Sequence, residues 1–350
     1  MNIAIVGAGV IGRLVALSLI GSGHKIAIFD KQSITNLDNA AHVSAGMLCP
    51  LGEIIHAPKQ VLEMGLWSLK KWPSILAKLQ RKDPKNEPIF FSQLGSIAVS
   101  FSQDISSFKQ LQQDYQHIEQ KAAEQVKHLQ AKKLHELEPA LSQFQQALFL
   151  RSEGQLCNRS FLRSSTRALQ QSAQIFDSFT VNAADLSGLT SDYDWVVDCR
   201  GAGAIQDQSM ASEKQTLRGV RGEVVRVSCP DLDLKRPIRI VHPRTSIYIV
   251  PKPNHEFVIG ATEIESHSDQ PISLRSTLEL LSTAYAVHPA FGEACIIETA
   301  VGIRAAYDDH IPKIHINNNC ITANGLYRHG WLVGPAIAQQ VIDEIQRGLP

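Results

Sequence analysis

The chain has 350 residues, 44% of them apolar, and its 34 Lys and Arg balance 34 Asp and Glu. That length permits a large core shared by two domains, and the charge balance leaves no electrostatic footprint for nucleic acid or an anionic membrane. Six scattered cysteines (Cys49, Cys157, Cys199, Cys229, Cys295, Cys320) form no CxxC pair and no His/Cys cluster at metal spacing, so reduced thiols in a cytoplasmic protein without a metal centre are expected.

The apolar start lacks a basic n-region and is broken by glycines, and no run reaches the length of a membrane span; neither a secretory leader nor a membrane anchor is expected. Its first thirty residues carry the strongest signal. The run Ile3 to Val6 meets Gly7, Gly9 and Gly12, a helical pattern places Ala16 and Leu19 inward, and after Gly23 a second apolar run closes on Asp30. The pattern predicts a strand, a glycine turn, a helix and a parallel strand. In such a unit the first glycine permits the tight turn, the second lets backbone approach a pyrophosphate, and the third brings helix against strand. The phosphates sit on the free N–H groups and positive dipole end of the helix. Asp30 stands where a carboxylate accepts hydrogen bonds from a ribose diol, which speaks against NADP. This stretch does not divide NAD from FAD.

A polar segment, Lys31 to Asn39, leads to Ala40-Ala-His-Val-Ser-Ala-Gly-Met-Leu-Cys-Pro50, whose small residues and Gly46 let backbone lie close to a flat ligand. Pro58 to Arg81 reads as helix interrupted near Pro73. Ile89 to Phe101 reads as strands around Gly95, and Ser102 to Leu141 as Gln- and Lys-rich helices with a solvated face. A turn at residues 154–159 precedes a helix from Ser160 to Ala173 and a short strand ending near Val181. Trp195-Val-Val-Asp-Cys-Arg-Gly-Ala-Gly203 is a strand entering another glycine turn, so the chain returns to its parallel sheet and the first domain is discontinuous. The alternating runs Gly222 to Val227, Ser246 to Val250 and Glu256 to Ile259 predict an antiparallel sheet with a face free to cover a ligand. Ala300 to Arg304 is a strand carrying an arginine, Cys320 to Ala323 a buried strand, Asn324 to Pro335 a glycine-rich loop, and Ala336 to Arg347 a helix.

Several stretches together resemble one family. The N-terminal glycine turn, Ser44-Ala-Gly-Met-Leu48, Arg221-Gly-Glu-Val224, Tyr248-Ile-Val-Pro251 with Val258-Ile-Gly-Ala-Thr262, Gly302-Ile-Arg304 and Tyr327-Arg-His-Gly330 follow the order found in the FAD-dependent D-amino-acid oxidase superfamily, nearest to the glycine oxidases of thiazole and thiamine biosynthesis. The resemblance runs nearly end to end. It implies FAD, held by Gly7, Gly9, Val10, Ile11, Gly12, Asp30 and Lys31 at the pyrophosphate and adenosine. Ala40, Ala41, Ala45, Gly46 and Met47 would line the flavin, Val181 would touch the adenine side, and Leu326, Tyr327, Arg328, His329, Gly330, Trp331 and Leu332 would pass beneath the isoalloxazine. Arg304 and Tyr248 match the residues that grip a substrate carboxylate, and Arg328 a further substrate-side arginine.

The fold class expected on this basis is α/β, with a Rossmann-like FAD-binding domain (residues 1–80, 150–205 and 300–350) and a second, antiparallel-sheet substrate domain (81–149 and 206–299). The resemblance implies oxidation of a small amino acid such as glycine, sarcosine or a small D-amino acid, with dioxygen as acceptor and hydrogen peroxide as product. A homo-oligomer is compatible with the chain. Rival readings are a dehydrogenase with another acceptor, an enzyme acting on a glycine-like group of modified tRNA, and a flavin-holding partner protein without turnover. Two departures stand out: Ala40 and Ala41 replace hydroxyl residues at the flavin, and Glu263 stands where glycine oxidases carry an apolar residue. A carboxylate pointing into the pocket would favour a cationic or longer polar substrate.

Overall fold

The structure, a computed structural model, describes all residues except 36–37, 54–56, 83–87, 119, 211–215 and 349–350. The strands Asn2–Val6 and Lys25–Phe29 pair in parallel, joined by the helix Val10–Leu19. Around them a six-stranded sheet runs in the order Lys313–Asn317, Cys320–Asn324, Trp195–Asp198, Asn2–Val6, Lys25–Phe29, Gln174–Phe176. Every pairing is parallel except that of the first two strands. The strand at Trp195 thus returns the chain to the sheet beside its first strand.

The glycine turn is sterically determined. Gly7 has φ 102°, and a Cβ there would sit 2.5 Å from Cys199 O. A Cβ at Gly12 would collide with Gly7 O, so helix and turn pack backbone to backbone. Gly9 differs, since a Cβ there would meet nothing within 4 Å among the described residues; none of them explains that glycine, and the space before it is open. The helix behind it has no side-chain cap and no acid in its first turn, so its leading N–H groups and positive end stay available.

Two helices depart from sequence expectation, both at a proline. Lys59–Lys82 continues through Pro73, and the final helix begins at Gly330, five residues before Pro335. Pro335 cannot donate to the carbonyl four residues back, that of Trp331. The indole Nε1 of Trp72 donates to it instead, at 3.1 Å. A partner from the other helix thereby satisfies the acceptor that proline leaves free.

The second layer is a nine-stranded sheet. Its path runs Ile264–Glu265, Arg218–Ser228, Glu256–Gly260, Ser246–Lys252, Ile238–Val241, Ser96–Val99, Gln146–Leu150, Val126–Gln130, with Cys295–Ala306 also paired to Arg218–Ser228. All pairings are antiparallel except Ile238–Val241 with Ser96–Val99. Val126–Gln130, expected as helix, is an edge strand because it completes the ladder of Gln146–Leu150. Residues 300–306, assigned from sequence to the FAD-binding part, continue the strand Cys295–Ala306 and belong to this sheet. A three-stranded sheet, Met47–Leu48, Gly154–Leu156 and Phe91–Ser92, joins the small-residue segment to the middle of the chain.

Candidate active site

One face of the nine-stranded sheet forms a trough. Register partners share a face, and the pairings Ala300↔Val224, Val224↔Gly260, Gly260↔Tyr248 and Tyr248↔Arg239 trace one row across five strands. Gly222 faces Gly302 two positions along, and Arg304 follows on the same face. Glycines at the centre of this row leave room that side chains at its ends enter. A Cβ at Gly260 would lie 2.9 Å from Tyr248 Oη, and one at Gly222 would overlap the Arg304 guanidinium. Gly302 admits the short helix Ala40–Val43, with a Cβ reaching within 3.3 Å of Ala40 Cα.

This trough and the segment 40–49 enclose a pocket. Of the residues assigned from sequence to ligand binding, Ala40, Ala45, Gly46, Met47, Tyr248, Arg304, Arg328, His329, Trp331 and Leu332 line it. Three arginines face it, and their partners differ. Arg239 Nη2 donates to Glu53 Oε1 at 2.5 Å, and Arg328 lies 2.8 Å from Glu53 Oε2 and 3.0 Å from Glu263 Oε2. Arg304 has no carboxylate partner among the described residues; its Nη1 reaches only the carbonyls of Thr262 (3.2 Å) and Arg221 (3.4 Å). Burial lowers its pKa from the ordinary value, with Tyr248 and Glu263 opposing that shift. Tyr248 is its neighbour, and burial raises the phenol pKa against the pull of Arg304, so the hydroxyl is a neutral donor.

Arg328, expected on the substrate side, is therefore already held by two carboxylates. Glu263, a departure whose carboxylate would favour a cationic or longer polar substrate if it pointed into the pocket, is tied by Arg328 and by the hydroxyl of Tyr327. His329 is buried, and burial lowers its pKa to about 4, so its ring is neutral near pH 7. Its Nδ1 lies 3.7 Å from Glu53 Oε2. Among the described residues, three arginines against two glutamates leave the lining with one uncompensated positive charge, and Arg304 carries it.

The pocket connects with the glycine turn. Val10 Cγ1 would touch a Cβ at Gly330 at 3.6 Å, so the N-terminal ends of the first and last helices meet. Trp331 Nε1 donates to Ser44 Oγ (2.8 Å) and Ala41 O (3.2 Å). Asn158 Nδ2 lies within 2.9 Å of the carbonyls of Ala41, His42 and Ser44, which fixes that segment's backbone. Asp30 accepts from Ala8 N (2.6 Å) and Gln32 N (2.9 Å) and keeps further lone pairs. Lys31 is exposed, and the carbonyl of Val181, itself buried, accepts from Arg200 Nη1 at 2.7 Å. Leu326 is buried, and Tyr327 adopts φ 51° with its N–H on Ala305 O. Gly7, Gly9, Ile11 and Gly12 lie at the turn itself, outside the pocket lining.

Sequence reasoning missed Glu53 and Arg239, whose charges meet across 186 residues. It also missed the three sheet glycines as a set, although glycine inside strands is a readable sign of close approach. Gly222→Ala tests that role. The obstacle to the new methyl is the far end of a flexible side chain, so the fold should hold while the guanidinium moves. The Kd for a small carboxylate anion such as acetate should rise about tenfold, with the thermal melt unchanged.

A glycine-turn nucleotide layer feeding a pocket on a second sheet is the build of a dinucleotide-dependent oxidoreductase. The family model described as DAO, FAD dependent oxidoreductase, matches residues 2–344, and the chain belongs to that family. It is 34% identical to a Rhizobium etli chain carrying the name thiamine biosynthesis oxidoreductase ThiO, over 97% of this chain and 95% of that one. It is 25% identical to the glycine oxidase of Geobacillus kaustophilus, over 99% and 93%. The crystal structure of glycine oxidase from Bacillus cereus shares the fold, with TM-score 0.83 at 24% identity, covering 100% of this chain and 96% of that one.

Proposed function

We propose that this chain oxidises a small amino acid, with glycine first and sarcosine and small D-amino acids next, to the corresponding imine. The observation that carries the reading is the half-buried Arg304 guanidinium, without a carboxylate partner among the described residues, in a glycine-floored trough beside Tyr248. A substrate carboxylate is planar, so the guanidinium can meet it with two parallel hydrogen bonds and the Tyr248 hydroxyl with a third. That grip fixes Cα relative to the pocket wall, which makes the reaction chiefly a matter of position. The uncompensated positive charge of Arg304 favours the substrate form with carboxylate ionised and amine neutral, the form that can release a hydride from Cα. Water then hydrolyses the product imine.

The residues fit FAD. The open space before Gly9 and the uncapped helix N-terminus behind it suit a pyrophosphate, and the free lone pairs of Asp30 suit a ribose diol. Val10, Ile11 and Lys31 would flank them, with Val181 near the adenine. Ala40, Ala41 and Ala45 to Met47 would line the isoalloxazine opposite Leu326 to Leu332. Bound there, FAD supplies the acceptor for the substrate hydride, and dioxygen takes the electrons on to hydrogen peroxide. We assign the six-stranded sheet to FAD binding and the nine-stranded sheet to the substrate. Product analysis tests the reading: glycine and air should yield glyoxylate, ammonia and hydrogen peroxide in equal amounts. Glyoxylate without peroxide would replace dioxygen by another acceptor, and no product from any small amino acid would remove the assignment.

A further inference from the structure

We propose that Glu263 restricts this pocket to amino acids with a single carboxylate, because it occupies Arg328 and leaves Arg304, among the described residues, as the one receptor for an anion. The inference rests on the proposed amino-acid site and names the residue that sets its substrate class. Arg304 donates to Thr262 O and Arg328 to the carboxylate of the next residue, Glu263. Two guanidinium groups therefore hold adjacent residues and both face the same pocket, near enough that Arg328 adds to burial in lowering the Arg304 pKa. Two such groups in one pocket suit two carboxylates on one small molecule. Glu263 takes the second place.

The clamp is built into the fold. Glu263 accepts from the hydroxyl of Tyr327, whose own N–H is bonded to Ala305 O at 2.8 Å, next to Arg304. The Tyr327 ring stacks on His310 with centroids 4.5 Å apart, and Arg218 Nη2 holds His310 Nε2 at 2.7 Å. The two carboxylates on Arg328 are unequal, with side-chain exposure of 45% for Glu263 and 10% for Glu53. Removing the outer one leaves Arg328 paired with Glu53, so no buried charge is orphaned and the fold tolerates the change. Among the described residues, the lining then carries two uncompensated positive charges and matches a dianion.

The test compares methoxyacetate with diglycolate, a monocarboxylate and a dicarboxylate ether that lack the amine, by their perturbation of the flavin absorbance in the holoenzyme. Glycine and N-carboxymethylglycine are compared by kcat/KM. In Glu263→Gln the preference should move toward the dicarboxylate by about tenfold or more in both pairs, the size of a charge-assisted contact. Glu263→Met, which removes the charge with a different shape, should shift the same way, and Glu263→Asp should keep the parental ratio. Unchanged ratios in both the Gln and Met variants would overturn the proposal. Failure of glycine turnover with a shifted Kd ratio would overturn the proposed reaction and leave the specificity role of Glu263 standing.

Discussion

Arg304→Ala should lower kcat/KM for the amino acid by roughly 30- to 1000-fold, the loss of about 2–4 kcal/mol expected for a bidentate charge-assisted contact. The effect should fall on substrate alone. Arg304 contacts no carboxylate among the described residues and touches the fold through two carbonyls, so FAD retention should match the parent. Stability should not collapse either, because the side chain is a desolvated charge with little to repay its burial. Arg221, the residue before Gly222 in its strand, provides the contrast: it is buried and paired with Glu223 at 2.6 Å. Arg221→Ala would orphan that carboxylate and should destabilise the protein. Steady-state kinetics with thermal melts of the Arg304 and Arg221 variants separate a ligand clamp from a structural ion pair.

Glu53→Gln should destabilise the folded protein by roughly 3–5 kcal/mol, the cost of removing one partner from a buried charge cluster. Glu53 is 8% exposed and lies against both Arg239 and Arg328. Burial alone would push its pKa up, but Arg239, Arg328 and His329 outweigh that and hold the carboxyl well below the usual carboxylate range. The folded pKa is therefore depressed relative to the unfolded value of about 4.3. The unfolded state binds the extra proton between the two values, so the contribution is fully present above the unfolded pKa and is lost as pH falls below it. The stability gap between parent and variant should be widest above about pH 5.5 and shrink steadily below about pH 4. Urea unfolding at several pH values measures it, and a gap that does not depend on pH would exclude an ionised Glu53.

What can be read in the sequence is local. The first thirty residues contain the whole nucleotide turn, because the strand, the three glycines, the helix and Asp30 follow one another within one βαβ unit. Arg304 and Tyr248 are legible as candidates through their motifs, although only the sheet register puts them on one face with Gly222, Gly260 and Gly302. Glu53 and Arg239 are not legible: an arginine between Ile238 and Ile240 shows alternation but not which face of the sheet meets the pocket. The start of the last helix is hidden for a physical reason. Pro335 reads as a boundary, and the indole that satisfies Trp331 O comes from Trp72, 259 residues away. Glu263 is legible as a departure, yet its partners Tyr327 and Arg328 turn its charge away from the role its position suggests.

The most direct test of the amino-acid assignment is an anaerobic absorbance titration of the purified holoenzyme with glycine, sarcosine, D-alanine and D-proline, followed by admission of air. The account expects at least one of them to bleach the flavin band, with full recovery and stoichiometric peroxide in air, and expects Arg304→Ala to need far higher concentrations for the same bleaching. A flavin that stays oxidised with all four, or an Arg304→Ala variant that bleaches at the parent's concentrations, would contradict it.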